Sequence, residues 1–139
     1  MAITMPEADA ATLAKRRDIV AALKRIVPDG VIDDAASMAA YESDGLTAYR
    51  QLPMVVVLPE RTEQVSAILK YCSTNNVKIV PRGAGTSLSG GALPLADGVL
   101  LGMARVKRIL HVDFADRCAV VQPGVTKLAI AREVEGRGF

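Results

Sequence analysis

Four of the chain's 11 glycines fall within nine residues, in the segment Pro81-Arg82-Gly83-Ala84-Gly85-Thr86-Ser87-Leu88-Ser89-Gly90-Gly91. Glycine admits positive φ and lets backbone approach a ligand closely. Successive N–H groups in such a turn point into one concavity and bind anions, phosphates above all. Thr86, Ser87 and Ser89 add hydroxyl donors, and Arg82 adds positive charge. Many neutral donors, no carboxylate and little side-chain bulk are what a pyrophosphate requires. On composition alone, an unliganded surface loop explains the segment equally well.

Two familiar phosphate loops are excluded. The dinucleotide fingerprint GxGxxG needs Gly at position 88, where Leu88 stands, and Pro94 and Gly98 interrupt the helix that should follow. A Walker A loop matches the spacing of Gly85 and Gly90, but Gly91-Ala92 occupies the Lys and Ser/Thr positions. Hydrolysis of ATP by such a loop is therefore disfavoured. The only histidine, His111, has no second ligand near it in sequence and reads as structural, with no metal site. No Ser–His–Asp arrangement is supported, and the catalytic residues stay unknown. Asp113 and Asp116 read as turn formers, Cys72 as core, and Cys118 as a small strand residue. Arg105, Lys107 and Arg108 read as a solvated connection.

The elements around the loop follow from periodicity. A helix is expected from about Asp9 to Val27, with Leu13, Val20, Leu23 and Val27 on one face, stopped by Pro28-Asp29-Gly30. A short helix from Asp34 to Tyr41 follows, capped by Asp33 or Asp34. Glu42 to Pro53 has no period and reads as loop. The β-branched run Met54–Leu58 reads as a buried strand closed by Pro59. Thr62 offers a helix cap. Val65, Ile68, Leu69 and Cys72 form a helical stripe that ends at Asn75-Asn76. Val77–Val80 is a second strand ended by Pro81, so strand, helix and strand make a parallel βαβ unit. Gly98–Met103 reads as strand. Leu110, Val112 and Phe114 alternate as a half-buried strand, which turns at Ala115-Asp116 and returns along Cys118–Gln122. Thr126 caps a last helix ending near Gly136. Parallel pairing followed by antiparallel pairing makes the class α+β.

Composition bounds the function. At 139 residues, with about 100–200 residues per domain, the chain is one domain. It is 50% hydrophobic, which excludes disorder. A net charge of +2 and 4% aromatic residues argue against nucleic acid as partner. No apolar run approaches the ~18 residues of a membrane span. Met1–Ala11 has no leader pattern. Two distant cysteines form no disulfide framework, so a reducing compartment and a soluble cytoplasmic protein are expected.

Over a longer stretch the chain resembles a known family. Pro53-Met54-Val55-Val56-Val57-Leu58-Pro59, Glu63-Gln64-Val65, the run from Val80 to Pro94, Ile109–Asp113 and Val121-Gln122-Pro123-Gly124-Val125 are similar to the FAD-linked oxidases. These carry the FAD-binding domain of the vanillyl-alcohol oxidase and p-cresol methylhydroxylase type. Tyr41–Gln51 looks like the FAD-binding subunits of bacterial glycolate oxidases. The resemblance runs from about Leu23 to Phe139. It implies the N-terminal portion of one such domain: a helical lead-in (1–53), the βαβ unit with its glycine-rich loop (54–103), and a β-hairpin and helix (104–139). The second flavin-binding stretch and the substrate cap domain of the family would then lie outside the chain.

The resemblance implies FAD, held non-covalently, because Thr86 stands where some relatives attach it through His. It places Pro81, Arg82, Gly83, Ala84, Gly85, Thr86, Ser87, Gly90 and Gly91 around the cofactor, with Gln122-Pro123-Gly124 nearby. It implies oxidation of a small 2-hydroxy acid, glycolate to glyoxylate first, in an enzyme with other oxidase subunits as partners, peripheral to the inner membrane at most. The chain alone would be inactive. A D-lactate or D-2-hydroxyglutarate dehydrogenase, or a non-catalytic nucleotide-binding remnant, are the alternatives.

Overall fold

The structure, a computed structural model, describes residues 5–139. Met1–Thr4, part of the stretch without a leader pattern, lie outside the described residues. The N-terminal helix is two helices, α1 (Ala10–Ala14) and α2 (Arg16–Ile26), parted at Lys15, whose φ of −90° and ψ of 4° break the helical path. Asp9 caps α1 by accepting from the Ala11 N–H. The break removes Leu13 from the expected stripe and leaves it exposed. Ile19 joins Val20, Leu23 and Val27 in the core. The chain then forms β1 (Val31–Ile32), α3 (Ala35–Met38, capped by Asp34) and one turn of 3-10 helix (Ala39–Tyr41).

Three buried valines make β2 (Val55–Val57), followed by α4 (Thr62–Thr74). Thr62 is the first residue of α4 and not its cap: Arg61 holds that position without a side-chain bond, and Gln64 Oε1 reaches back to the Glu60 N–H at 2.8 Å. Ile68 and Cys72 are buried, whereas Leu69 points outward. Asn75 and Asn76, the latter at φ 54°, end the helix. Strand β3 (Lys78–Arg82) runs through Pro81 instead of stopping there. Proline is tolerated because β3 is the edge of the sheet.

The main sheet has the order β1-β2-β4-β3, with β4 spanning Gly98–Gly102. β2 and β3 are parallel as the βαβ pattern requires, but they do not touch. β4 lies between them, parallel to both, and β1 adds antiparallel to β2. Side-chain alternation then divides the core. Val55, Val57, Val99 and Leu101 face α2 and α4, meeting Ile19, Leu23, Ile68 and Cys72. Val56, Leu100 and Val80 face the other way, onto Met38, Tyr41 and Leu95.

Strands β5 (Ile109–Asp113) and β6 (Cys118–Val121) form a separate antiparallel hairpin with an irregularity between Ile109 and His111. Helix α5 (Lys127–Glu133) follows, capped by Thr126 Oγ1, which accepts from the Ala129 N–H. Phe114 lies beyond the strand, and Leu110 is exposed instead of half-buried. The parallel sheet followed by an antiparallel hairpin is the α+β mixture read from the pattern.

Candidate functional site

The glycine-rich segment leaves the end of β3 and returns to the sheet at β4. It is held in shape by its own hydroxyl: Ser87 Oγ accepts from the Gly91 N–H at 3.1 Å and from the Ser89 N–H at 3.4 Å. Gly85 sits at φ +73° and Gly90 at φ +78°, the left-handed region that glycine occupies without cost. Among the described residues, the N–H groups of Gly83, Ala84, Gly85, Thr86, Ser87 and Leu88 find no acceptor. A Cβ built on Gly83 would meet open space, so the start of the loop is unobstructed.

This donor set suits a pyrophosphate. Six consecutive N–H groups lack an intramolecular acceptor, and two hydroxyl side chains stand among them. No carboxylate lies in the segment to repel an anion. Pro81, Gly83, Ala84 and Thr86 are exposed. Arg82, Gly85, Ser87 and Gly90 are half-buried, and Gly91 is exposed. Arg82 reaches back under the loop with one end of its guanidinium. Its Nη1 donates to the carbonyls of Ser43 at 2.8 Å, Tyr41 at 3.2 Å and Ala92 at 3.4 Å. The guanidinium lies beneath Gly85, where any Cβ would collide with it. Gly85 is thus required twice, by its φ and by the arginine under it.

A chain of backbone bonds brings the Pro123–Gly124 turn to the same place. The Met103 N–H donates to the Arg82 carbonyl (2.8 Å), the Val106 N–H to that of Met103 (3.0 Å), and the Gly124 N–H to that of Val106 (2.8 Å). Gln122 is buried and closes the base of the hairpin: its Oε1 accepts from the Arg108 N–H, and its own N–H donates to the Arg108 carbonyl. Gly83 and Ala84 therefore form one wall of an open cleft of about 530 Å³, with Pro123, Gly124 and Val125 opposite. Lys107 and Lys127 add positive charge to its lining. Lys107 reads from sequence only as part of a solvated connection, and Lys127 is not singled out, because nothing in their local spacing ties them to a loop twenty or more residues earlier.

His111 is exposed on the hairpin, and Cys118 is exposed on the returning strand opposite Asp113. Cys72 is buried on the core-facing side of α4, and burial pushes its thiol up to about 11. None of the three lines the cleft. Asp113 is a turn former, its Oδ1 accepting from the Ala115 and Asp116 N–H groups.

Residues 53–139 match the FAD binding domain family. Over 120 residues, 86% of this chain, the sequence is 51% identical to the glycolate oxidase subunit GlcD of Escherichia coli strain K12, covering 24% of that protein. Over 122 residues, 88% of this chain, it is 34% identical to the mitochondrial D-2-hydroxyglutarate dehydrogenase of Bos taurus, covering 22% of it. The chain thus spans about a quarter of the length of these relatives. Among solved structures, 4-ethylphenol oxidase from Gulosibacter chungangensis superimposes on 97% of the chain with a TM-score of 0.79 at 24% identity, covering 27% of the oxidase. That likeness concerns the fold.

Proposed function

This chain belongs to the FAD binding domain family, and from that premise we propose that its Gly83–Leu88 turn cradles the pyrophosphate of FAD in an oxidoreductase acting on a 2-hydroxy acid, glycolate first. The observation that carries the reading is the row of six N–H groups without an acceptor, set at the end of a parallel strand. When bound, FAD supplies the redox chemistry, accepting a hydride equivalent from the carbon that bears the hydroxyl. The work of this chain is binding and orientation. The N–H row neutralises the pyrophosphate without a counter-cation, and Thr86 and Ser87 offer hydroxyl donors at its centre. Lys107 and Lys127 raise the local potential, and the Pro123–Val125 wall limits where the cofactor extends.

Attachment is non-covalent in this reading, since Thr86 occupies the place of the attaching histidine and the loop holds no Cys or His. Glycolate is preferred over D-2-hydroxyglutarate because identity to the glycolate oxidase subunit is 51% against 34% to the dehydrogenase. The Tyr41–Gln51 stretch supports the same choice. That relative is named as a subunit, so further oxidase subunits are the proposed partners. Among the described residues no helix is long and apolar enough to cross a membrane.

A flavin titration tests the reading. Gly85→Val places a Cβ against the Arg82 guanidinium at a φ that valine avoids, so it should abolish FAD binding while far-UV dichroism stays near that of the parent. Thr86→Val removes one neutral donor and should weaken binding roughly fivefold. Equal affinity of parent and Gly85→Val would remove the turn as the phosphate cradle.

A further inference from the structure

The aperiodic stretch after the 3-10 helix lies directly beneath the glycine-rich loop and touches it at its start, middle and end. At the start, Arg82 Nη1 donates to the carbonyls of Tyr41 and Ser43, with the guanidinium carbon 5.8 Å from the centre of the Tyr41 ring. In the middle, Gly45 packs so closely that a Cβ there would stand 2.9 Å from the carbonyl oxygens of both Thr86 and Ser87. At the end, Asp44 is buried, 6% exposed, and its Oδ2 accepts from the Ala92 N–H at 3.3 Å while Oδ1 accepts from the Leu46 N–H at 2.9 Å. A buried carboxylate is costly to desolvate. Here both of its oxygens go to backbone N–H groups and not to a cation.

We infer that Asp44 is a positioning residue for the cofactor: together with Nη1 of Arg82 it fastens both ends of the Arg82–Ala92 loop to the Tyr41–Leu46 segment and so holds the N–H row in place. The inference rests on the reading of that row as the pyrophosphate cradle. The two ends matter because the loop between them has few bonds of its own. Its internal closure comes from Ser87 Oγ, from the Leu93 N–H, which donates to the Gly90 carbonyl, and from the 3.4 Å bond of Arg82 Nη1 to the Ala92 carbonyl. The residue type also follows. Asp44 receives two donors on two oxygens, whereas asparagine offers one acceptor oxygen and would set an NH2 group against an N–H. Asp44→Asn therefore breaks one of the two bonds whichever way the amide is turned.

The test pairs two measurements on the full-length protein that carries this chain. The first is hydrogen exchange of peptides covering residues 83–93 without flavin. The second is FAD affinity by fluorescence anisotropy. Asp44→Asn should speed exchange across the loop and weaken FAD binding about tenfold, the scale of one lost bond to a charged group. Asp33→Asn, which removes a surface carboxylate bonded to Lys24, should change neither. Faster exchange with unchanged affinity would make Asp44 a structural residue only and overturn the inference, as would unchanged exchange. If Asp44→Asn loses its fold, Gly45→Ala takes its place, pressing on Thr86 and Ser87; parental affinity in that variant overturns the inference equally. A parent that binds no FAD overturns the cradle reading itself, and the inference falls with it.

Discussion

Strands β4 and β5 have five residues each and sit in opposite surroundings. Every residue of Gly98–Gly102 is buried, between two parallel neighbours and two covered faces. In Ile109–Asp113 none is buried; the strand has one neighbour and α5 on one side. Among the described residues beyond Gly102, only Val106 and Gln122 are buried. The glycine-rich loop springs from the first region and the Pro123–Gly124 turn from the second. The cleft thus has one wall rooted in a packed sheet and one wall tied to it by a short ladder of backbone bonds. Local stability follows buried apolar contact, so the donor row is anchored where the molecule is firmest and the opposite wall is held where it is least so.

Breaking the contrast is most direct in the sheet. Leu101→Ala leaves a cavity between β4 and the helices and should cost about 2–5 kcal/mol in urea unfolding. A loss below 1 kcal/mol would mean that β4 is less confined than its burial implies. Next comes the junction. A Cβ on Gly124 would collide with the Met103 carbonyl oxygen and stand 2.8 Å from that of Val106. Gly124→Ala should therefore cost about 1–3 kcal/mol, the range of overpacking, and detach the hairpin first. Faster exchange confined to residues 104–139 would report that sequence of events, and uniform acceleration would contradict it.

A smaller effect depends on pH. Burial pushes the Asp97 carboxyl up, but the bond from Lys78 Nζ at 2.6 Å and the Asp9 N–H outweigh it, and the net direction is down. A lowered folded-state value means stability that is present above the unfolded value near 4 and lost as pH falls through the folded one. Lys78 is half exposed, so solvent screens the pair and the gain is modest. The parent and Asp97→Asn should differ in urea midpoint at pH 7 and converge as pH drops below about 4. A gap that widens in acid would reverse the sign and refute the account. The smallest effect is expected on the hairpin, where Leu110→Ser should shift stability by no more than about 0.5 kcal/mol. A larger loss would show that the second region packs more tightly than its exposure indicates.

Much of the first region could be read from sequence because its signals are local. Three β-branched residues in a row, the 65/68/72 stripe and the Asn75-Asn76 stop each depend on neighbours a few positions away. The order of the sheet does not. Nothing within Met54–Val80 announces that β4, some twenty residues later, lies between β2 and β3. Val31–Ile32 is too short to carry a period, and the break at Lys15 interrupts a pattern that otherwise favours helix. The loop is legible as a glycine cluster, and the side chains that hold it are not. Asp44-Gly45 reads as an ordinary turn until Ala92 and Thr86 are placed against it. Arg82 reads as a free cation until three carbonyls take up its Nη1.

Pro81 has an outcome of a different kind. The Arg82 carbonyl turns inward to the Met103 N–H, so by alternation Pro81 turns to the outer margin of β3. That margin is the open end of a parallel sheet, the kind of border onto which a second molecule can zip and begin a fibril. With proline there, the border lacks a donor one residue before Arg82 leads into the glycine-rich segment. A strand of a second molecule adding along this margin would find one hydrogen bond missing at that point.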